Sequence, residues 1–120
     1  MITRQLVGLL LAFGLVGCNP SFSQRYSKVQ PGLSRDQVTK LLGDPYLKRE
    51  GSVPDRPYWG PQEGLLSIIG PNAWYEEWQY LVQDHNYFIW FSSTDGKPKE
   101  QWVVINKANY PKGAVFESTQ

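Results

Sequence analysis

The sequence predicts a small α+β domain, a short helix packed on a three-stranded antiparallel sheet. Two observations carry this. Residues 32–45 (GLSRDQVTKLLGDP) hold every local signal of a short amphipathic helix. Residues 75–106 contain three apolar runs separated by turn-forming residues, the pattern of an antiparallel meander.

Ser34 is a good N-cap, and Gln37 three residues later completes a capping box. Leu33 before the cap and Val38 after it form a hydrophobic staple. Asp36 sits in the first turn, where the helix dipole favours an anion. Val38, Leu41 and Leu42 follow i, i+3, i+4 spacing and make one apolar face. Gly43 suits the C-terminal cap and Pro45 prevents continuation. The helix is expected over 34–42.

The strands are expected at Tyr75–Val82, Tyr87–Phe91 and Gln101–Asn106. In the first, Trp78, Tyr80 and Val82 share one face and Glu77 and Gln79 the other. The second is apolar on both faces, and the third nearly so. Asp84-His85-Asn86 and Thr94-Asp95-Gly96-Lys97 supply turn chemistry between them. One short helix covers only part of one face. The second face must be covered by residues 51–73, by the C-terminal tail or by a partner.

Residues 51–73 (GSVPDRPYWGPQEGLLSIIGPNA) carry four Pro and four Gly, too many for regular structure beyond one helical turn at Leu65–Ile69. Tyr58, Trp59, Leu65, Leu66, Ile68 and Ile69 make this long loop apolar. It either folds over the sheet or forms a contact surface for a partner or a membrane, and Tyr and Trp are favoured interface anchors. Lys48, Arg49 and Arg56, beside Glu50 and Asp55, read as a solvated face.

The chain has 120 residues, with 12 Lys and Arg against 11 Asp and Glu. No basic block stands out, which argues against nucleic acid as a partner. A single cysteine excludes an intramolecular disulfide and a cysteine-rich metal site, and a single histidine removes most zinc and triad chemistries. His85 beside Asp84 reads as a solvated turn residue. Glu76 and Glu77 are consecutive in a strand and point to opposite faces, so they cannot flank one substrate. No catalytic residue, metal, cofactor or small-molecule substrate is expected.

Arg4 is followed by an uncharged apolar run, Leu6–Val16 (LVGLLLAFGLV), too short to span a bilayer and right for a signal peptide. Leu15-Val16-Gly17-Cys18 resembles the bacterial lipobox. The resemblance implies a leader over 1–17, with Cys18 as the lipid-modified N-terminus of the mature chain. Asn19 after the cysteine, by resemblance to Gram-negative sorting signals, implies the periplasmic face of the outer membrane. Residues 18–28 are expected to be the lipidated N-terminus and a tether, 29–110 the folded domain, and 111–120 a mobile tail.

Gly32-Leu33-Ser34 with Gln37-Val38, Leu42-Gly43 and Pro45 is similar to the G-M-T-x-x-Q-V-x-x-x-L-G-x-P element of the SmpA/OmlA (BamE-like) outer-membrane lipoprotein family. Trp78-Gln79-Tyr80 matches the family's W-x-Y strand. Phe91, Gly96 and the strand that follows are similar to its F-x-x-x-G-x-V segment, with four residues in place of three between Phe and Gly. Leu33 and Ser34 stand where the family usually has Met and Thr, and the 51–73 insertion is longer. The resemblance implies a helix on a three-stranded antiparallel sheet. It also implies a non-enzymatic scaffold among the components of the outer-membrane β-barrel assembly machinery. The same helix-strand motif occurs in β-lactamase-inhibitor-like domains, which gives an alternative: an inhibitor or sensor module for another envelope protein.

Overall fold

A computed structural model of the protein describes residues 19–56 and 60–114. The elements are α1 (Phe22–Tyr26), α2 (Arg35–Leu42), β1 (Leu47–Ser52), α3 (Leu65–Ile69), β2 (Trp74–Val82), β3 (His85–Ser92), a single 3-10 turn (Lys99–Gln101) and β4 (Val103–Pro111). The strands form one antiparallel sheet in the order β1-β2-β3-β4. The architecture is α+β, with short helices on a four-stranded sheet.

The α2 helix forms as its caps dictate. Ser34 Oγ accepts from the Gln37 amide at 3.2 Å, and the Gln37 side chain accepts from the Ser34 amide at 2.9 Å. Gly43 ends the helix at φ 82°, a left-handed value that costs glycine nothing. Val38 and Leu42 are buried from this helix, with Leu41 packed beside them.

The expected three strands are corrected to four. The missing strand is β1, Leu47–Ser52 (LKREGS), which pairs along its whole length with β2. It has no apolar alternation because it is an exposed edge, and charged side chains on an edge discourage pairing with other chains. Its side chains reach inward to its neighbours instead. Arg49 Nη2 lies 2.7 Å from Glu77, and Lys48 Nζ sits 4.6 Å from the centre of the Trp78 ring.

The hairpin turn also moves. It is Gln83-Asp84, with φ 50° and 60°, joining the paired residues Val82 and His85. Two central residues with positive φ fit the right-handed twist of the flanking strands. His85 therefore belongs to β3 rather than to the turn. The β4 strand runs to Pro111, past the expected end at Asn106, because His85–Ile89 pairs with Lys107–Pro111. Its alternation is broken by a bulge opposite Trp90 and Phe91 and by polar residues on an edge.

Both faces of the sheet are packed. On one face Trp78, Tyr80, Ile89, Phe91 and Val104 meet Val38 and Leu42 of α2, together with Tyr26 and Val29. On the other, Phe88 and Trp90 meet Val53 and Leu65, with Leu66 and Ile69 against them. The Pro- and Gly-rich segment thus supplies cover for the second face.

Residues 19–28, expected as a tether, instead contain α1. Ser21 and Gln24 form a second capping box, Ser21 Oγ accepting from the Gln24 amide at 3.2 Å and Gln24 Oε1 from the Ser21 amide at 2.8 Å. Tyr26 is only 4% exposed. Its hydroxyl lies 3.0 Å from the Phe88 carbonyl and 2.9 Å from that of Ala108, across β3 and β4.

Replacing Tyr26 with Phe leaves these carbonyls without their donor, and an unfolding titration should show a loss of about 1 kcal/mol. Burial pushes the Tyr26 phenol well above the ordinary tyrosine range, and it does the same to Tyr80, whose hydroxyl donates to the Gly43 carbonyl at 2.8 Å. The folded chain therefore keeps both protons to higher pH than the unfolded chain does. Their contribution is fully present below about pH 10, the unfolded tyrosine value, and is lost as pH rises above it. Burial lowers the Lys107 ammonium, which works in the opposite direction over the same alkaline range. Melting curves taken upward from neutral pH should decline beyond about pH 10, and the Tyr26→Phe and Tyr80→Phe variants should each flatten that decline.

Candidate functional site

Glu76, Glu77, Asp84 and His85 are each engaged in structure. Asp84 sits 3.9 Å from Lys112 at the hairpin tip. His85 Nε2 lies 2.7 Å from Asn109 Oδ1, and its ring packs on Tyr87. Glu76 and Glu77 lie on opposite faces, as strand alternation requires. Among the described residues, no group of three His, Cys, Asp or Glu side chains is placed to hold a metal ion.

On the α2 face, Glu76 Oε1 accepts from Arg35 Nε at 2.8 Å and Trp78 Nε1 at 2.7 Å. Arg35 Nη1 donates to the Lys99 carbonyl at 2.9 Å, joining the start of α2 to the turn before β4. The rest of the guanidinium lies against the rings of Phe91 and Trp102, 5.6 and 5.8 Å from their centres. Its buried Nη2 makes no hydrogen bond. Contact with two π-faces partly replaces one. Lys99 pairs with Glu50 of β1, so this polar cluster links helix, edge strand and turn.

On the opposite face the centre is Glu77, whose side chain is 2% exposed. Its carboxylate accepts from Gln62 Nε2 at 2.6 Å, Arg49 Nη2 at 2.7 Å and Trp90 Nε1 at 2.9 Å. Three donors from three parts of the chain satisfy one buried charge. Through Gln62 this carboxylate pins the segment before α3 to the sheet. The same charge, with burial as the larger cause, raises the nearby Tyr75 phenol.

The residues expected to contact a partner or membrane divide accordingly. Leu65 is fully buried, Leu66 and Ile69 pack against the second core layer, and Ile68 is exposed. Tyr58, Trp59 and Cys18 lie outside the described residues. Of the basic residues, Lys48 and Arg49 are held by Trp78 and Glu77, while Arg56 is exposed beside Asp55.

Sequence reasoning missed the aromatic seat of α1. Phe22 packs 5.3 Å from Tyr80 and 4.8 Å from Tyr87, ring centre to ring centre, and Tyr26 lies 4.8 Å from Tyr87. Lys107 Nζ donates to the Tyr26 carbonyl at 3.0 Å and lies over its ring. Beside this seat is an open groove of about 450 Å³, lined by Ser21, Phe22, Val82, Gln83, His85 and Tyr87. The signals were Ser21-x-x-Gln24, a capping box, and Phe22 and Tyr26 at i, i+4.

Glu77→Gln turns one acceptor into a donor facing other donors. It should destabilise the fold by about 2–3 kcal/mol and speed amide exchange in residues 62–70 more than in α2. Comparison with known protein families, with characterised proteins and with solved structures finds no match for this chain. Its functional reading therefore rests on its own residues.

Proposed function

We propose that this protein is a lipid-anchored, non-enzymatic scaffold of the bacterial envelope, held at the periplasmic face of the outer membrane. In this reading it is a relative of the SmpA/OmlA (BamE-like) lipoproteins and serves β-barrel assembly. The observation that carries the proposal is Leu15-Val16-Gly17-Cys18, with the chain's one cysteine at the end of an apolar leader of signal-peptide length. The Gly32–Pro45 element supports the family part of the reading. The engagement of Glu76, Glu77, Asp84 and His85 in packing, turn and sheet agrees with a role in binding rather than in catalysis.

Two or three acyl chains hold a protein stably on a bilayer, whereas one does so only marginally. Metabolic labelling with palmitate should mark the full-length protein and leave Cys18→Ser unmarked and slower to mature. Equal labelling of both overturns the anchor. In-cell crosslinking of the tagged protein, read by mass spectrometry, should recover the barrel-inserting protein and its lipoprotein partners. Recovery of an unrelated envelope protein without them removes the assembly role and leaves the anchor standing.

A further inference from the structure

We infer that the domain stands with the β2–β3 hairpin tip against the lipid surface and the opposite end of the sheet, at Ser93–Lys97, directed away from it. The inference rests on lipidation of Cys18 as proposed above. It adds the face of the domain that meets the bilayer.

The argument begins with α1. An extended tether of ten residues reaches about 35 Å and leaves orientation free. With α1 seated on Tyr80 and Tyr87, the free length shrinks to the link between Cys18 and Ser21, at most about 11 Å. Ser21 lines a groove with Val82, Gln83 and His85, so the chain enters the fold beside the hairpin tip. The far end of β3 is eight residues away, about 26 Å along the strand. An anchor on so short a link cannot bring that end to the surface while the tip points outward.

Leu81 is 38% exposed beside the two-residue turn, and Tyr46 and Leu47 are exposed in the same half of the sheet, while Trp74 is exposed at the other end. Exposed apolar area is thus present at both ends, and the short link from the anchor is what selects the tip. At the tip itself the charges of Asp84 and Lys112 offset each other. The contact there is held by the anchor and apolar side chains more than by attraction to anionic headgroups. It should therefore persist at high salt.

The test uses the full-length, lipidated protein in vesicles of phosphatidylcholine and anionic phosphatidylglycerol that contain a nitroxide-labelled lipid. Cys18 is the chain's one cysteine and is consumed by its lipid, so an introduced cysteine is the only free thiol. A thiol-reactive fluorophore at Leu81→Cys or Lys112→Cys should be quenched by the bilayer nitroxide. The same fluorophore at Thr94→Cys or Lys97→Cys should stay at background, and high salt should change neither result. Equal quenching at both ends, as in a domain lying flat, overturns the inference, and so does quenching at Thr94 and Lys97 alone. In either case, palmitate labelling and vesicle flotation of the same protein leave the anchor reading intact. Protein that takes no palmitate and does not float removes the anchor and this orientation together.

Discussion

The β3 strand (HNYFIWFS) places Ile89 and Phe91 on one face and Phe88 and Trp90 on the other, and all four are buried. A strand apolar on both sides demands a covering layer above and another below. A chain of this size cannot supply two layers from long helices. It uses α1 and α2 on one side, and on the other an irregular segment with one short helix. The shape of the N-terminal half follows from covering this central strand.

Polar groups inside those layers show why the cover is specific. Glu77 collects donors from β1, the α3 segment and β3, so the irregular layer has one registered position over the sheet. Arg35 does the equivalent on the other side, linking α2, Glu76 and the turn before β4. A buried carboxylate or guanidinium is expensive to strip of partners. Shifting either layer by one residue therefore costs several hydrogen bonds at once, which apolar contact alone would not enforce.

What could be read from residue order follows the same physics. The α2 helix was legible because its caps lie within the segment itself, at Ser34, Gln37 and Gly43. The hairpin strands were legible because burial imposes aromatic and branched residues on them. The β1 strand was not, since Lys48, Arg49 and Glu50 find their partners in β2 and in Lys99, distant in sequence. The β4 strand was cut short in the reading because Lys107 and Asn109 look like loop residues, although Lys107 lies over Tyr26. The α1 helix was overlooked where local and distant signals conflict: five polar-rich residues make a poor helix alone, and its seat comes from Tyr80 and Tyr87. Of the contact residues, the apolar loop was legible and both its readings, cover for the sheet and contact surface, stayed open, because an exposed and a packed Leu look alike in a sequence.

The first and last described elements are stitched together. The Tyr26 hydroxyl reaches the Ala108 carbonyl across 82 positions of sequence, and Gly32 and Leu33 exchange backbone hydrogen bonds with Val104. Closing so long a loop carries its entropy cost before any reward, which slows folding. It also makes completion conditional. Until β4 has been delivered, Tyr26 and Val29 lack part of their enclosure and the 32–34 link has nothing to pair with. A nascent chain that has not yet delivered β4 therefore lacks the strand that closes its core, and the N-terminal elements take their final positions only when that strand arrives.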